Sequence, residues 1–341
     1  MRMILCEGKR GKIVDRAVEQ NGFRYELDFS WAKWPEELKG VHVLNGCFDE
    51  DGKLYAATEN KEHPIVIFSP DGVFEKSIGK GLFQKAHSVF LTPEHTILTA
   101  DSSADCHVIR EIGRDGTWIR DFGTMGVPGD SGYDFHYLDT LEKEGRVPED
   151  ETWRKRAEAN ARLDSVRKLG TPFCRPCAMV MNEKGEYFAA DGYGNDAVHR
   201  FRPDGTLERS WGGPGSKPGK FRLVHDVRID RLGRVWVSDR ENRRVQIFTQ
   251  DGELLAVVCG ELMRIGAVWL DDSFAYVGEL DGGITILDME LNVKAQLGEK
   301  GSVIHAHGLT EDQDGNLYIF TNRKNENNIL RLTRRAAAEK E

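Results

Sequence analysis

The chain has 341 residues, is 39% hydrophobic and 30% charged, and carries a net charge of −9. That composition suits a globular protein with a large core and offers no basic face for nucleic acid. No apolar run reaches the roughly 20 residues needed to cross a bilayer. The N-terminal run MRMILCEGKRGKIVDR has neither an apolar core nor a cleavage pattern, so an unprocessed, cytoplasmic protein is expected. The cysteines (Cys6, Cys47, Cys106, Cys174, Cys177 and Cys259) are scattered, which favours reduced thiols.

Taken in chain order, Phe23–Trp31 is a strand-like run. A unit beginning at Asp49 follows, running through the Pro70-Asp71-Gly72 turn to Gly79. His87–Gly123 repeats the pattern as a second unit. Residues 124–172 interrupt it, and within them residues 149–169, after Pro148, read as an amphipathic helix. The repeat resumes at Cys177–Gly212 and again at His225–Gly260, where turn signals separate four short strands. A degenerate fifth unit covers about Gly266 to Gly298 and lacks one turn signature. The sixth, from His307 to Thr333, stops after its third strand.

Six such units predict an all-β, six-bladed propeller. Phe23–Trp31 is expected to pair beside Ile329–Leu332, closing the ring and leaving no open sheet edge. Residues 1–341 then form one propeller domain, with 124–172 as a helical insertion between blades 2 and 3. Such an insertion can act as a lid, a support for a site loop or an oligomer contact.

The repeat also serves as a ruler. His225 lies eight residues before Gly233, His307 eight before Gly315, and His87 eight before His95 at its own turn position. Three histidines therefore open the innermost strands of units two, four and six. Alternate blades of a six-fold ring stand about 120° apart around the axial channel. Three imidazoles entering it symmetrically suit zinc or another late first-row metal with an open coordination position. Leu44 and Cys177 hold the same register in two other units, and the fifth shows no clear equivalent.

Two loops, Asp191–Asn195 and Asp239–Asn242, fall at one mouth of the channel. Their Asp and Asn residues are expected to brace turns. Tyr193 and Arg240 are not required by the turns. A tyrosine beside cations can have its pKa lowered and act as a general base, and an arginine can hold a carboxylate. His305 and Cys177 are further candidates beside the metal ligands, whereas Cys174-Arg-Pro-Cys177 alone makes neither a zinc site nor a redox motif. The remaining histidines fall off the ligand register and are expected at the surface or in the core.

The runs Phe173-Cys-Arg-Pro176, Ala190–Asn195, Ser210–Gly215, Lys220–His225 and Ser238–Asn242 resemble those of the NHL-repeat peptidyl-α-hydroxyglycine α-amidating lyases. The resemblance covers roughly residues 42–333 and is sharpest from Phe173 to Phe248. It implies a zinc ion on His87, His225 and His307, Tyr193 as base, and Arg240 binding or polarising the substrate. It further implies cleavage of a carbinolamide into an amide and an aldehyde or glyoxylate. Two features depart from the family. Gly308 stands where an Asp tied to a structural calcium is usual, and the first-blade loop Thr58–His63 lacks an arginine expected there.

The leading expectation is therefore a zinc-dependent lyase acting on a small-molecule or short-peptide substrate. A metal-dependent lactonase or esterase and a non-catalytic protein-binding scaffold are the alternatives. Neither nucleic acid nor membrane is an expected partner, and the insertion offers a route to oligomers.

Overall fold

The computed structural model describes residues 1–146, 150, 163–321 and 327–336. Six sheets make six blades. Blade 1 is Val43–Phe48, Leu54–Thr58, Ile65–Phe68 and Phe74–Ile78. Blade 2 is Phe90–Leu91, Thr96–Ala100, Val108–Gly113 and Trp118–Gly123. Blades 3 and 4 begin at Pro176–Met181 and Val224–Ile229. Blade 5 begins at Ile265–Leu270 and blade 6 at Gly308–Glu311.

Why these runs become strands is clearest in blade 4. Val235–Asp239 and Arg244–Phe248 are wholly buried, because neighbouring blades cover both faces of a middle strand. In the first of them the apolar run Val235–Val237 is accordingly continuous rather than alternating. The outer strand Leu207–Gly212 of blade 3 lies at the rim and is only partly covered.

Ring closure follows the expectation. Phe23–Asp28 pairs antiparallel with Ile329–Arg335, setting Leu27 opposite Leu332. Tyr25 and Leu27 are buried in one cluster with Ile319, Leu330 and Leu332. Two features were not anticipated. Ala17–Gln20 and Ile13–Val14 extend blade 6 outward, and Arg2–Cys6 adds a parallel fifth strand to blade 4.

The degenerate fifth unit is in fact a complete blade, with strands Ile265–Leu270, Phe274–Glu279, Gly283–Asp288 and Val293–Leu297. Its first turn lacks the glycine that blades 1, 3, 4 and 6 carry at Gly52, Gly185, Gly233 and Gly315. The turn is one residue shorter, with Asp271 N donating to the Phe274 oxygen where Asp230 N donates to that of Arg234. Asp271 accepts the backbone N–H groups of Ser273 and Phe274, each at 2.6 Å, as Asp49 and Asp230 accept backbone N–H groups in their own turns. In the insertion, one helix, Tyr137–Lys143, is described. The helix expected over 149–169 lies mostly outside the described residues. No described cysteine is paired in a disulfide, and no described helix is long and apolar enough to cross a membrane.

Candidate metal centre

A bulge recurs where the innermost strands begin. Pairing skips Leu44, Cys177, His225 and Gly266 in blades 1, 3, 4 and 5. A bulged residue leaves the ladder and re-aims its groups. His87 and His307 lie just before the innermost strands of blades 2 and 6 and are bonded through their backbone N–H to Ala100 and Phe320. Gly266 is thus the fifth-blade equivalent that the sequence pattern left unassigned.

The six positions form three pairs around the axis. His87 Nδ1 lies 2.8 Å from the Cys177 carbonyl oxygen, His225 Nδ1 2.5 Å from that of Gly266, and His307 Nδ1 2.9 Å from that of Leu44. A carbonyl only accepts, so each Nδ1 carries the proton and each Nε2 keeps its lone pair. The three rings converge, with centroids 4.6 to 5.1 Å apart. One nitrogen from each ring lies within 4.8 Å of the others.

The imidazoles are also held neutral. Burial, reinforced by mutual repulsion, pushes His87 and His225 well below the ordinary histidine value. Burial brings His307 down to about 4. Three neutral imidazoles offering lone pairs to one point are the donor set of a divalent metal with an open position, so the residues fit such an ion.

Tyr193 caps this point. Its hydroxyl lies 3.0 Å from His87 Nε2 and 3.0 Å from His225 Nε2. Glycines on both sides let its loop press in. A Cβ on Gly192 would sit 2.1 Å from the Val224 oxygen, and one on Gly194 2.5 Å from the Cys174 sulfur. Arg240 Nη1 lies 3.4 Å from the phenolic oxygen, while its Nε donates to Glu241 at 2.9 Å. Burial pushes the phenol up to about 12, outweighing the neighbouring Arg240 and Arg175. The lowering anticipated for a tyrosine among cations is therefore not reached from these arginines alone.

The other loop residues are braces. Asp191 Oδ2 accepts from Cys174 N and Asn195 Nδ2, and His199 Nε2 lies 3.3 Å away. Asp239 accepts from Arg222 N, Asn242, Arg244 and Gln246. These networks tie the loops to the second and third strands of blades 3 and 4, and so fix Tyr193 and Arg240.

His305 is placed outside the three-histidine group, with Nδ1 3.3 Å from the Leu280 oxygen. Cys177 contributes its backbone carbonyl to His87, and burial pushes its thiol up to about 12. A structural calcium does not fit at Gly308. No side chain is present to bind it, and a Cβ there would lie 2.4 Å from the Leu44 oxygen. Sequence reasoning passed over Arg175. Its guanidinium lies 5.5 Å from the Tyr193 ring centre, nearly the distance of Arg240 at 5.4 Å. The one signal was its place in the Phe173-Cys-Arg-Pro176 run.

Residues 221–248 match the NHL repeat. Over 246 residues, 68% of this chain, the chain is 27% identical to the human NHL repeat-containing protein 3 and covers 58% of it. It is 34% identical over 248 residues, 70% of its length, to a probable peptidyl-α-hydroxyglycine α-amidating lyase of Caenorhabditis elegans and covers 56% of that protein. The chain thus spans little more than half the length of these curated relatives. A gluconolactonase from Xanthomonas campestris superimposes with a TM-score of 0.59 at 11% identity, covering 97% of each chain, and shows the shared fold. By sequence and architecture the chain is an NHL-repeat, six-bladed β-propeller whose relatives include peptidyl-α-hydroxyglycine α-amidating lyases.

Proposed function

We propose that the chain is a zinc-dependent lyase that cleaves the carbon–nitrogen bond of a carbinolamide, HO–CH(R)–NH–C(O)R′, to an aldehyde or glyoxylate and an amide. The observation that carries this reading is the meeting of three neutral imidazole lone pairs with one buried tyrosine hydroxyl. His87, His225 and His307 would hold the ion, which when bound supplies Lewis-acid polarisation of a substrate oxygen.

The side chains account for the rest of the chemistry. Tyr193 takes the hydroxyl proton of the substrate. As the carbon–oxygen double bond forms, the carbon–nitrogen electron pair leaves with the amide, and the proton is returned to nitrogen. Water is not consumed. The Arg240 guanidinium beside the phenolic oxygen favours phenolate over phenol and so favours proton removal.

The test is turnover of α-hydroxybenzoylglycine by zinc-loaded protein in 18O-labelled water. The lyase reading expects benzamide and glyoxylate in equal amounts, with a benzamide oxygen free of label. Labelled benzoate would overturn it in favour of a hydrolase. No turnover by a protein that binds no metal would overturn it in favour of a non-catalytic scaffold.

A further inference from the structure

Beside the metal centre, a cleft of about 790 Å³ opens between the second blade and the base of the insertion. His107, Tyr133, Phe135 and Arg175 line it, together with Asp105 and Asp134. Three observations set it apart from an ordinary surface groove. The first concerns Arg175, whose Nη1 donates to the Tyr133 hydroxyl at 2.8 Å and whose Nε donates to the Ser102 carbonyl at 3.1 Å. Among the described residues it has no carboxylate partner. Part of its five-donor fork is left for another acceptor.

The second is His107, only 2% exposed, whose Nδ1 makes no hydrogen bond of good geometry among the described residues, the Ala104 backbone acting on the ring only as a weak acceptor. Leaving a buried polar atom unpaired is costly, which suits a wall that a ligand completes. The third is the arrangement of rings. Phe135 packs edge-to-face on both Tyr133 (4.8 Å) and His107 (5.6 Å), giving the cleft an aromatic lining.

Arg175 joins this cleft to the chemistry, since its guanidinium lies 5.8 Å from the Tyr133 ring centre and 5.5 Å from that of Tyr193. Its backbone is pinned as well. Arg175 holds φ at 64°, and its carbonyl accepts the N–H of Tyr193. A non-glycine residue in that region persists only where its surroundings enforce it.

We propose that this cleft is the acyl subsite of the metal centre, that it selects an uncharged aromatic acyl group, and that Arg175 binds the acyl oxygen. The inference rests on the lyase reading for its chemistry. When the carbon–nitrogen bond breaks, the departing electron pair is delocalised onto the acyl oxygen before nitrogen takes the proton from Tyr193. A guanidinium at that oxygen stabilises the developing charge. Asp105 and Asp134 on the same walls select against an acidic acyl group, and the rings favour a flat apolar one.

Binding can be read without turnover, because N-acylglycines lack the hydroxyl and are not cleaved. Titration calorimetry with benzoylglycine and acetylglycine should show benzoylglycine bound roughly tenfold tighter. Phe135→Leu should remove most of that preference and leave acetylglycine unchanged. Arg175→Gln should weaken both ligands by roughly tenfold, as expected for a lost charged hydrogen bond. His225→Ala should keep the preference, showing that it belongs to the cleft rather than to the metal. Equal affinity for the two ligands, or a full preference surviving in Phe135→Leu, would overturn the subsite. Undiminished binding in Arg175→Gln would overturn the role given to Arg175. If the preference holds but α-hydroxybenzoylglycine is not cleaved, the lyase reading and the carbon–nitrogen step fail while the cleft assignment stands.

Discussion

His307 Nδ1 lies 2.9 Å from the carbonyl oxygen of Leu44, across the seam where the last blade meets the first. One of the three histidine orientations therefore depends on ring closure, and closure depends on the N-terminal strand Phe23–Asp28. Leu27 is buried opposite Leu332 in that strand. Leu27→Ala should lower the unfolding free energy by about 2–5 kcal/mol, the usual cost of emptying a buried leucine site. Urea denaturation with an unchanged m-value would establish it. A change within error of zero would show that the closing strand is dispensable.

Removing one imidazole should abolish metal binding. His87, His225 and His307 each present one unprotonated nitrogen, and no other described group of three metal-ligating side chains is available to compensate. Plasma mass spectrometry should find about one zinc per chain in the native protein and almost none in His225→Ala. Chelation should also lower the melting temperature of the native protein but not that of the variant, because a ligand bound only to the folded state stabilises it by mass action. Equal metal content in both proteins would remove the axial site.

Tyr193→Phe separates binding from chemistry. The hydroxyl touches His87 and His225 without being needed to orient them, since their Nδ1 atoms are fixed by backbone carbonyls. Zinc content should therefore be unchanged. Turnover should fall by roughly 10²–10⁴-fold, the range expected on losing a general base. Retention of most activity would assign the proton transfer elsewhere.

What the sequence disclosed depended on how strictly its signals repeat. The three histidines share one offset from a turn, and that offset became a shared place on the axis. The fifth blade was harder to read because its first turn, from Asp271 to Phe274, is one residue shorter than that from Asp230 to Arg234 and carries no glycine, leaving no repeat signature. The strand Arg2–Cys6 is short and pairs in parallel at the far edge of blade 4, with no local turn to announce it. The backbone partners of the histidines were illegible for a different reason. A carbonyl is present at every residue, and only the bulges decide which ones face the axis. Arg175 was hidden likewise, because its significance lies in its proximity to Tyr193 and not in its spacing.

The stability of the protein should carry a pH signature from Glu311, at the end of the innermost strand of blade 6. Burial pushes its carboxyl up to about 7, and the nearby Asp271 adds to the shift. The Tyr276 hydroxyl, which also donates to Asp271 at 3.0 Å, lies 3.4 Å from Glu311 and offsets this only in part. Arg334 also acts in the lowering direction. The folded state thus holds a proton that the unfolded chain releases near pH 4.5, so unfolding in that range releases protons. By linkage, the contribution of Glu311 is fully present below about pH 4.5 and is lost as pH rises through about 7. Glu311→Gln keeps the shape and removes the titration. Its urea midpoint should equal or exceed that of the native protein at pH 8, and the difference between the two proteins should shift in favour of the native one as pH falls to 5. A difference that does not change with pH would show that Glu311 titrates alike in the folded and unfolded chains.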